Sequence, residues 1–386
     1  MSAVLPDPHP PGRSPDSPPA LGVGLLGCGV VGSAVARRLL AAHPGLVRGI
    51  AVRDPAKARD VGWDAWSADP FAVVDDPGVG VVVECIGGVR LARELVLRAI
   101  ARGKDVVTAN KELIAIDGPW LAAFAARTGA TLHYEAAVGG AIPILHALET
   151  SLADETIGEI GGVVNGTTNF VLSQMEAGED YAAALAEAQR RGFAEADPRN
   201  DVDGHDAAHK LTILATLAFR APVALEGVGR CGITAIGADD VATAREHGWR
   251  IKLVALARRT AGGVAASVAP MFVPRDHPFA RPNGAENVVR LVGAGCGALE
   301  FFGLGAGGEA SASSVVGDVV AAVDARRHGS ARRRRRIGDA VAVTPVRLPL
   351  VVRGAHGVEI TAPHALDEVA AVAGRDGVRS VLPLLV

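Results

Sequence analysis

The chain has 386 residues, 49% hydrophobic and 21% charged, with a formal net charge of -3; this allows two domains and a tail and gives no bias towards nucleic acid or a membrane surface. Its four cysteines, Cys28, Cys85, Cys231 and Cys296, are far apart with no CxxC pair, which argues against a disulfide framework or a zinc ribbon and for a reducing, cytoplasmic setting. No apolar run approaches the roughly 18 to 20 residues of a membrane span, and the proline- and acid-bearing start lacks the basic end and apolar block of a signal peptide; the expected partner is a small molecule.

Residues 1–19 carry seven prolines and almost no large apolar side chain, which predicts a disordered leader. From Leu21 short apolar strands alternate with helix-like stretches: VGLLG, VGSAVARRLLAAH, VRGIAV, VGVVVEC, RELVLRAIARG, KDVVTAN and ATLHYEA. Such alternation predicts a parallel sheet with helical crossovers. After about Ala141 the pattern changes to longer helical pieces, 181–191 and 205–219, mixed with strands such as 158–164, and predicts a second, α+β domain. Five consecutive arginines at 332–336 mark a further boundary before a short strand-and-helix tail.

In GLLGCGVVG, the glycines Gly27, Gly29 and Gly32 follow a predicted strand and open a helix, with Val30 and Val31 at the helix start. The first glycine permits a tight turn, the second lets a pyrophosphate approach the backbone, and the third lets helix and strand pack closely. These five residues are the candidate dinucleotide contacts. At the end of the second strand stand Arg53 and Asp54. Arg53, helped by Lys57, could hold the 2'-phosphate of NADP, whereas Asp54 could hold a ribose hydroxyl of NAD; two solvated turn residues are the bland alternative. NADP is slightly favoured, with use of both open.

Within VVTANKELIA, Lys111 follows an apolar strand directed at the carboxyl edge of the sheet, where ligands of such folds bind. A cation serving no other purpose is disfavoured at a helix N-terminus. The run GFAEADPRNDVDGHDAAHK, from Gly192 to Lys210, holds five carboxylates and leads into LTILATLAF, which reads as buried helix. That combination predicts a polar pocket rather than a solvated face. Asp206 and Lys210 are spaced i,i+4 and share a helical face, so the carboxylate can orient the ammonium, although an ordinary helix ion pair has the same spacing. Hydride transfer to an aldehyde creates an alkoxide that must gain a proton; a lysine can donate it while a second lysine lowers its pKa. Lys111 and Lys210 are the expected pair. His205 and His209 make an H-D-A-A-H sequence that differs from a zinc-binding H-E-x-x-H by its aspartate, but no third ligand is signalled and both read as structural.

The strings GLLGCGVVG, VVECIGG, VVTANKELIA, YEAAVGGAIPI, NGTTNFVLSQM, GFAEADPRNDVDGHDAAHKL, IKLVALA and GLGAGGEASAS occur in this order across about residues 21 to 325. Together they resemble the homoserine dehydrogenases. The resemblance implies NAD(P)-dependent interconversion of L-aspartate 4-semialdehyde and L-homoserine, in the branch leading to threonine, methionine and isoleucine. It implies that Lys210 is the proton donor and that Lys111 lies beside the nicotinamide. Glu195, Asp201 and Asp206 match carboxylates that hold the amino acid end of the substrate or orient the lysine; Asn200 stands where some relatives have a further aspartate. A monovalent cation, usually sodium, is implied at Glu135, Val138, Gly140 and Ile142, and nicotinamide contacts at Gly305 and Gly307. Ala310 and Ser311 replace a proline and a threonine common in the family.

The implied architecture is α/β: a Rossmann-type NAD(P)-binding domain over 20–148 that regains about 306–327, and an α+β substrate-binding and dimerisation domain over 149–305. Residues 328–386 are expected as a basic linker and short tail, a possible remnant of the ACT regulatory domain found in many relatives. A homodimer is implied. Two rivals remain: a semialdehyde dehydrogenase working through a cysteine thioester, which needs a thiol beside a base, and a non-catalytic dinucleotide-binding redox sensor whose arginine run contacts nucleic acid. The arginines as a solvated linker are the simpler reading.

Overall fold

The computed structural model describes residues 20–57, 59–329, 337–354, 357–375 and 377–385. The expected leader and the arginine run lie outside the described residues. The chain divides into two compact units, one of residues up to Leu145 with those from Gly307, the other of His146–Ala306 with the residues after the arginine run.

The first unit is built on six parallel strands: β1 (Gly22–Leu26), β2 (Val47–Ala51), β3 (Trp66–Ser67), β4 (Val79–Glu84), β5 (Asp105–Thr108) and β6 (Leu132–His133). Their order is β3-β2-β1-β4-β5-β6. This is the doubly wound arrangement, in which the chain reverses its direction of travel across the sheet between β1 and β4 and leaves a crevice at the carboxyl ends there. β1 and β4 are buried along their whole length, as strands covered on both faces must be. Helices α1 (Val30–Ala42), α2 (Pro70–Asp75), α3 (Arg90–Ala101) and α4 (Lys111–Thr128) connect them. α3 shows how: Ala92, Leu95, Val96, Ala99 and Ile100 fall on one buried stripe at helical spacing. α2 starts on an Asp69 cap, whose carboxylate accepts from the Phe71 N–H at 2.8 Å, with Pro70 in the first turn.

The second unit begins within α5 (Ile144–Glu149) and holds β7 (Ile157–Val163), β8 (Gly229–Arg230), β9 (Trp249–Thr260), β10 (Gly263–Pro274), β11 (Glu286–Gly293), β12 (Gly297–Leu304) and β13 (Ala342–Thr344). The sheet order is β12-β11-β7-β9-β10-β13, with β8 also beside β10. Its helices are α6 (Gly166–Ala177), α7 (Tyr181–Arg190), α8 (Arg199–Val202), α9 (His205–Phe219) and α10 (Ala238–Glu246). α9 is apolar on nearly every side and correspondingly buried from Asp206 to Phe219 apart from a few positions.

The chain then returns to the first unit as α11 (Gly308–His328), which places Ala312, Val315, Val319 and Ala322 against Val23, Leu25 and Val35 of β1 and α1. Arg326 fastens its end through Asp105, at 2.8 Å, and the Ala20 carbonyl. Beyond the arginine run, β13 pairs in parallel with β10, and β14 (Arg347–Gly354) lies between β15 (Gly357–Ala365) and β16 (Val378–Pro383), with α12 (Val369–Ala373) before the last strand. The segment expected as a separate tail therefore packs within the second unit. Its Val346, Leu348 and Leu385 complete the core that Val254, Met271 and Val288 begin on the large sheet, and that apolar face explains the packing. Among the described residues no helix is long and apolar enough to cross a membrane.

Candidate active site

The turn after β1 has the shape that the three glycines predict. Gly27 sits at φ +91°, and a Cβ there would stand 2.6 Å from the Cys85 carbonyl oxygen. A Cβ at Gly32 would meet the Gly27 oxygen at 2.1 Å. At Gly29 nothing lies within 4 Å, so the backbone opens onto free space where a pyrophosphate would approach. Gly29 caps α1 without a side chain and no acid occupies the first turn, which leaves the helix N-terminus suited to an anion. Val30 is 78% exposed, unusual for a valine in so apolar a segment, and Val31 is half-buried. Gly308, at the start of α11, packs closely on Val30: a Cβ there would be 3.0 Å from both Val30 Cγ1 and the Val30 carbonyl oxygen. These residues fit a dinucleotide.

Across the crevice a buried carboxylate organises the ends of β4 and β5. Glu84 Oε1 accepts from the Ile86 and Gly87 N–H groups at 2.7 and 3.2 Å, and Oε2 accepts from Thr108 Oγ1 at 2.6 Å. Thr108 Oγ1 in turn accepts from the Asn110 N–H at 3.0 Å, and Asn110 caps α4 by accepting from the Leu113 N–H at 3.1 Å. Lys111, half-buried, is therefore the first residue of a firmly anchored helix. Glu84 was not among the residues singled out, although it stands inside VVECIGG; an acid ending an otherwise apolar strand was the available signal. After β2, Arg53, Asp54 and Lys57 are all exposed. Asp54 Oδ1 accepts from the Ala56 N–H at 3.0 Å, so its carboxylate is engaged in its own turn.

The second unit gathers a polar cluster under α6 and α9. Lys210 Nζ donates to Asp206 Oδ2 at 2.8 Å and to the Val164 carbonyl at 2.7 Å; both side chains are buried. Asn165 Nδ2 donates to Asp206 Oδ2 at 2.8 Å and to Asp201 Oδ1 at 2.7 Å. Thr167 Oγ1 donates to Asp201 Oδ2 at 3.0 Å. Asn165 also caps α6, its Oδ1 accepting from the Thr168 N–H at 2.8 Å, so the helix start and the clamp on the two aspartates are one structure. A buried cation beside two carboxylates, bridged by neutral donors, is an arrangement suited to a charged polar ligand.

The acidic run is not one pocket. Asp201 and Asp206 enter the cluster, but Glu195 is exposed on the loop after α7, where its backbone carbonyl accepts from Gln189 Nε2 at 3.1 Å. Asp197 is exposed and paired with Arg199 at 2.5 Å, which lowers its pKa to about 2. Asn200 is exposed too, and Asp203 is half-buried. The run meets α6 at both ends, through the Phe193 carbonyl, which accepts from Thr167 Oγ1 at 2.7 Å, and through Asp201, while the acids between them are exposed. His205 is exposed, and partial desolvation and the nearby Arg230 lower its pKa. Lys111 belongs to the first unit and Lys210 to the second.

Glu135, Val138, Gly140 and Ile142 lie on one loop of the first unit, turned by positive φ values at Gly139 and Gly140. Glu135 Oε1 accepts from the Leu145 N–H at 2.9 Å, Gly140 O from Ser314 Oγ at 2.6 Å, and Ile142 O from the Ile144 N–H at 2.9 Å. Carboxylate and carbonyl oxygens are the donor type that a hard cation takes. Among the described residues no group of three or more His, Cys, Asp or Glu side chains is placed to hold a metal ion. Gly305 has a packing reason to be glycine, since the Asn287 carboxamide occupies the place of its Cβ. Gly307, at φ +117°, caps α11.

The thioester rival fares poorly at Cys85. Burial, the neighbouring Glu84 carboxylate and Cys28 push its thiol far above the ordinary range, which suppresses the thiolate such chemistry requires.

Comparison with known proteins agrees with this geometry. Residues 27–135 match the family profile "Homoserine dehydrogenase, NAD binding domain", and residues 143–320 match "Homoserine dehydrogenase". The homoserine dehydrogenase of Corynebacterium glutamicum is 44% identical over 335 residues, 83% of this chain and 75% of that protein. That of Pseudomonas aeruginosa is 44% identical over 78% of this chain and 72% of its own length. The crystal structure of a homoserine dehydrogenase from Thiobacillus denitrificans superposes with a TM-score of 0.86 at 34% identity, covering 95% of this chain and 98% of that one. A hyperthermophilic archaeal homoserine dehydrogenase in complex with NADPH gives a TM-score of 0.68 at 27% identity, covering 78% of this chain and 97% of its own. Nothing in these likenesses supports a non-catalytic sensor, and with both profiles matched in order along one continuous chain, this protein belongs to the homoserine dehydrogenase family of NAD(P)-dependent oxidoreductases.

Proposed function

We propose that the chain reduces L-aspartate 4-semialdehyde to L-homoserine, reversibly, and that Lys210 donates the proton the carbonyl oxygen gains. The buried Lys210–Asp206–Asn165–Asp201 cluster carries this reading. Bound NAD(P)H would supply the hydride. Asp206 holds the ammonium of Lys210 in place one helical turn away, and the Val164 carbonyl fixes its other side. Asp201 and Asp206 supply negative charge for the substrate's α-ammonium group, which requires anionic partners away from water. Glu195, on the exposed loop, joins them when substrate is bound. Lys111 serves at the nicotinamide end, presented by the Asn110 cap.

Gly27, Gly29, Val30, Val31 and Gly32 hold the pyrophosphate, and Gly305 and Gly307 border the nicotinamide. With Asp54 engaged in its own turn, exposed Arg53 favours the 2'-phosphate of NADP. The loop from Glu135 to Ile142 takes a monovalent cation, most simply sodium. The unit boundaries near 145 and 307 separate dinucleotide binding from substrate binding, and the second unit forms a homodimer. The test is direct: purified protein given L-homoserine should reduce NADP+, and given L-aspartate 4-semialdehyde should oxidise NADPH. Turnover of neither pair would overturn the reading.

A further inference from the structure

Lys252 is 1% exposed and is among the largest fully buried side chains of the protein. It lies on β9 in IKLVALA, and its Nζ donates to Asn169 Oδ1 at 2.6 Å and to the Pro282 carbonyl at 2.7 Å. Both acceptors are neutral. Burying a cation without a bonded carboxylate is costly, and an apolar side chain of similar volume would pack without that cost. Burial accordingly lowers its pKa to about 8, Arg250 on the same strand acting in the same direction, while Glu176 of α6 and Glu286 of β11 oppose them. A residue kept at this expense is placed for what it joins.

It joins three elements. Asn169 is itself fully buried on α6, and its Nδ2 donates to the Gly284 carbonyl at 2.8 Å. One ammonium and one carboxamide thus fasten β9, the beginning of α6, and the 282–284 segment that leads into β11. The approach is close enough that a Cβ on Gly166 would lie 3.2 Å from Ala285 Cα. One turn before Asn169 stands the cap Asn165, and two residues before it Thr167; these clamp Asp201 and Asp206. Any shift of α6 along or about its axis moves that clamp.

We propose that Lys252 is a positioning residue: through Asn169 it sets the first turns of α6, and with them the geometry of the carboxylates that receive the substrate's α-ammonium group. This rests on the proposed roles of Asp201 and Asp206. Lys252 is sealed from solvent and bonded to Asn169 and the Pro282 carbonyl, so its influence passes through α6 and reads out on amino acid binding.

The experiment compares Lys252→Met, Asn169→Ala and the double variant with the parent in steady-state oxidation of L-homoserine by NADP+, the folded fraction of each being measured by circular dichroism and size exclusion. The expected result is a rise of about tenfold or more in KM for homoserine in each single variant, KM for NADP+ within about twofold of the parent, and a double variant no worse than the poorer single, as two parts of one device require. Asn169→Ala keeps the lysine and so reports even where Lys252→Met does not fold. Losses of kcat that follow the folded fraction, with KM for homoserine unmoved, would show a purely structural role and overturn the proposal. A parent inactive with homoserine would instead overturn the underlying reading of the site, and this proposal with it.

Discussion

Lys210 Nζ and Asp206 Oδ2 are 2.8 Å apart, one helical turn apart on α9, and both side chains are buried. Removing one partner of such a pair leaves the other uncompensated, which typically costs about 3–5 kcal/mol. Asp206→Ala is therefore expected to lower the urea midpoint of unfolding markedly and to lower kcat/KM for homoserine by about a hundredfold or more. Equilibrium unfolding and initial rates on one preparation check both parts.

The glycines of the β1–α1 turn separate folding from binding. Because the Cβ of Gly32→Ala would collide with the Gly27 oxygen whereas that of Gly29→Ala meets nothing, only the first should depress the melting temperature. Gly29→Ala should keep the melting temperature of the parent but lose tenfold or more in NADP+ affinity, about 1.4 kcal/mol. Differential scanning fluorimetry with and without NADP+ distinguishes the two.

Arg53, exposed after β2, is the residue proposed to hold a 2'-phosphate, and Asp54 is tied to the Ala56 N–H. Arg53→Ala should lower kcat/KM for NADP+ by about tenfold, in the range of one lost charge-assisted hydrogen bond, and change that for NAD+ little. Equal losses with both dinucleotides would assign Arg53 a different role.

Cys85 offers a pH-dependent check. Its thiol is pushed well above the ordinary range by burial, Glu84 and Cys28, so the thiolate fraction at pH 8 is far below that of a free cysteine and grows only as the pH rises beyond the usual thiol range. Alkylation of Cys85 by iodoacetamide at pH 8, followed by peptide mass spectrometry, should be much slower than alkylation of a free thiol. Cys85→Ala should retain turnover.

The pattern of strands and helices was legible wherever burial was one-sided or complete. The helix predicted over 205–219 is α9, and the strand predicted over 158–164 is β7, one residue earlier. β3 was not legible, being two residues long with half-buried Trp66 and Ser67. In the site, the i,i+4 spacing brought Asp206 and Lys210 into view because helical geometry alone joins them. Asn165 and Thr167 lie 41 and 34 residues from their partners Asp206 and Asp201, a distance that only the tertiary fold closes. The same limit concealed the bond from Thr108 on β5 to Glu84, and composition alone does not say that Asp201 enters the cluster while Glu195 and Asp197 stay exposed.

The central claim, proton transfer by Lys210, is tested most directly by kcat for homoserine oxidation in the parent and in Lys210→Ala, with the folded state of each verified. The account predicts a loss of about a hundredfold to ten-thousandfold in kcat, with NADP+ binding retained. A Lys210→Ala enzyme with near-parental kcat would contradict it.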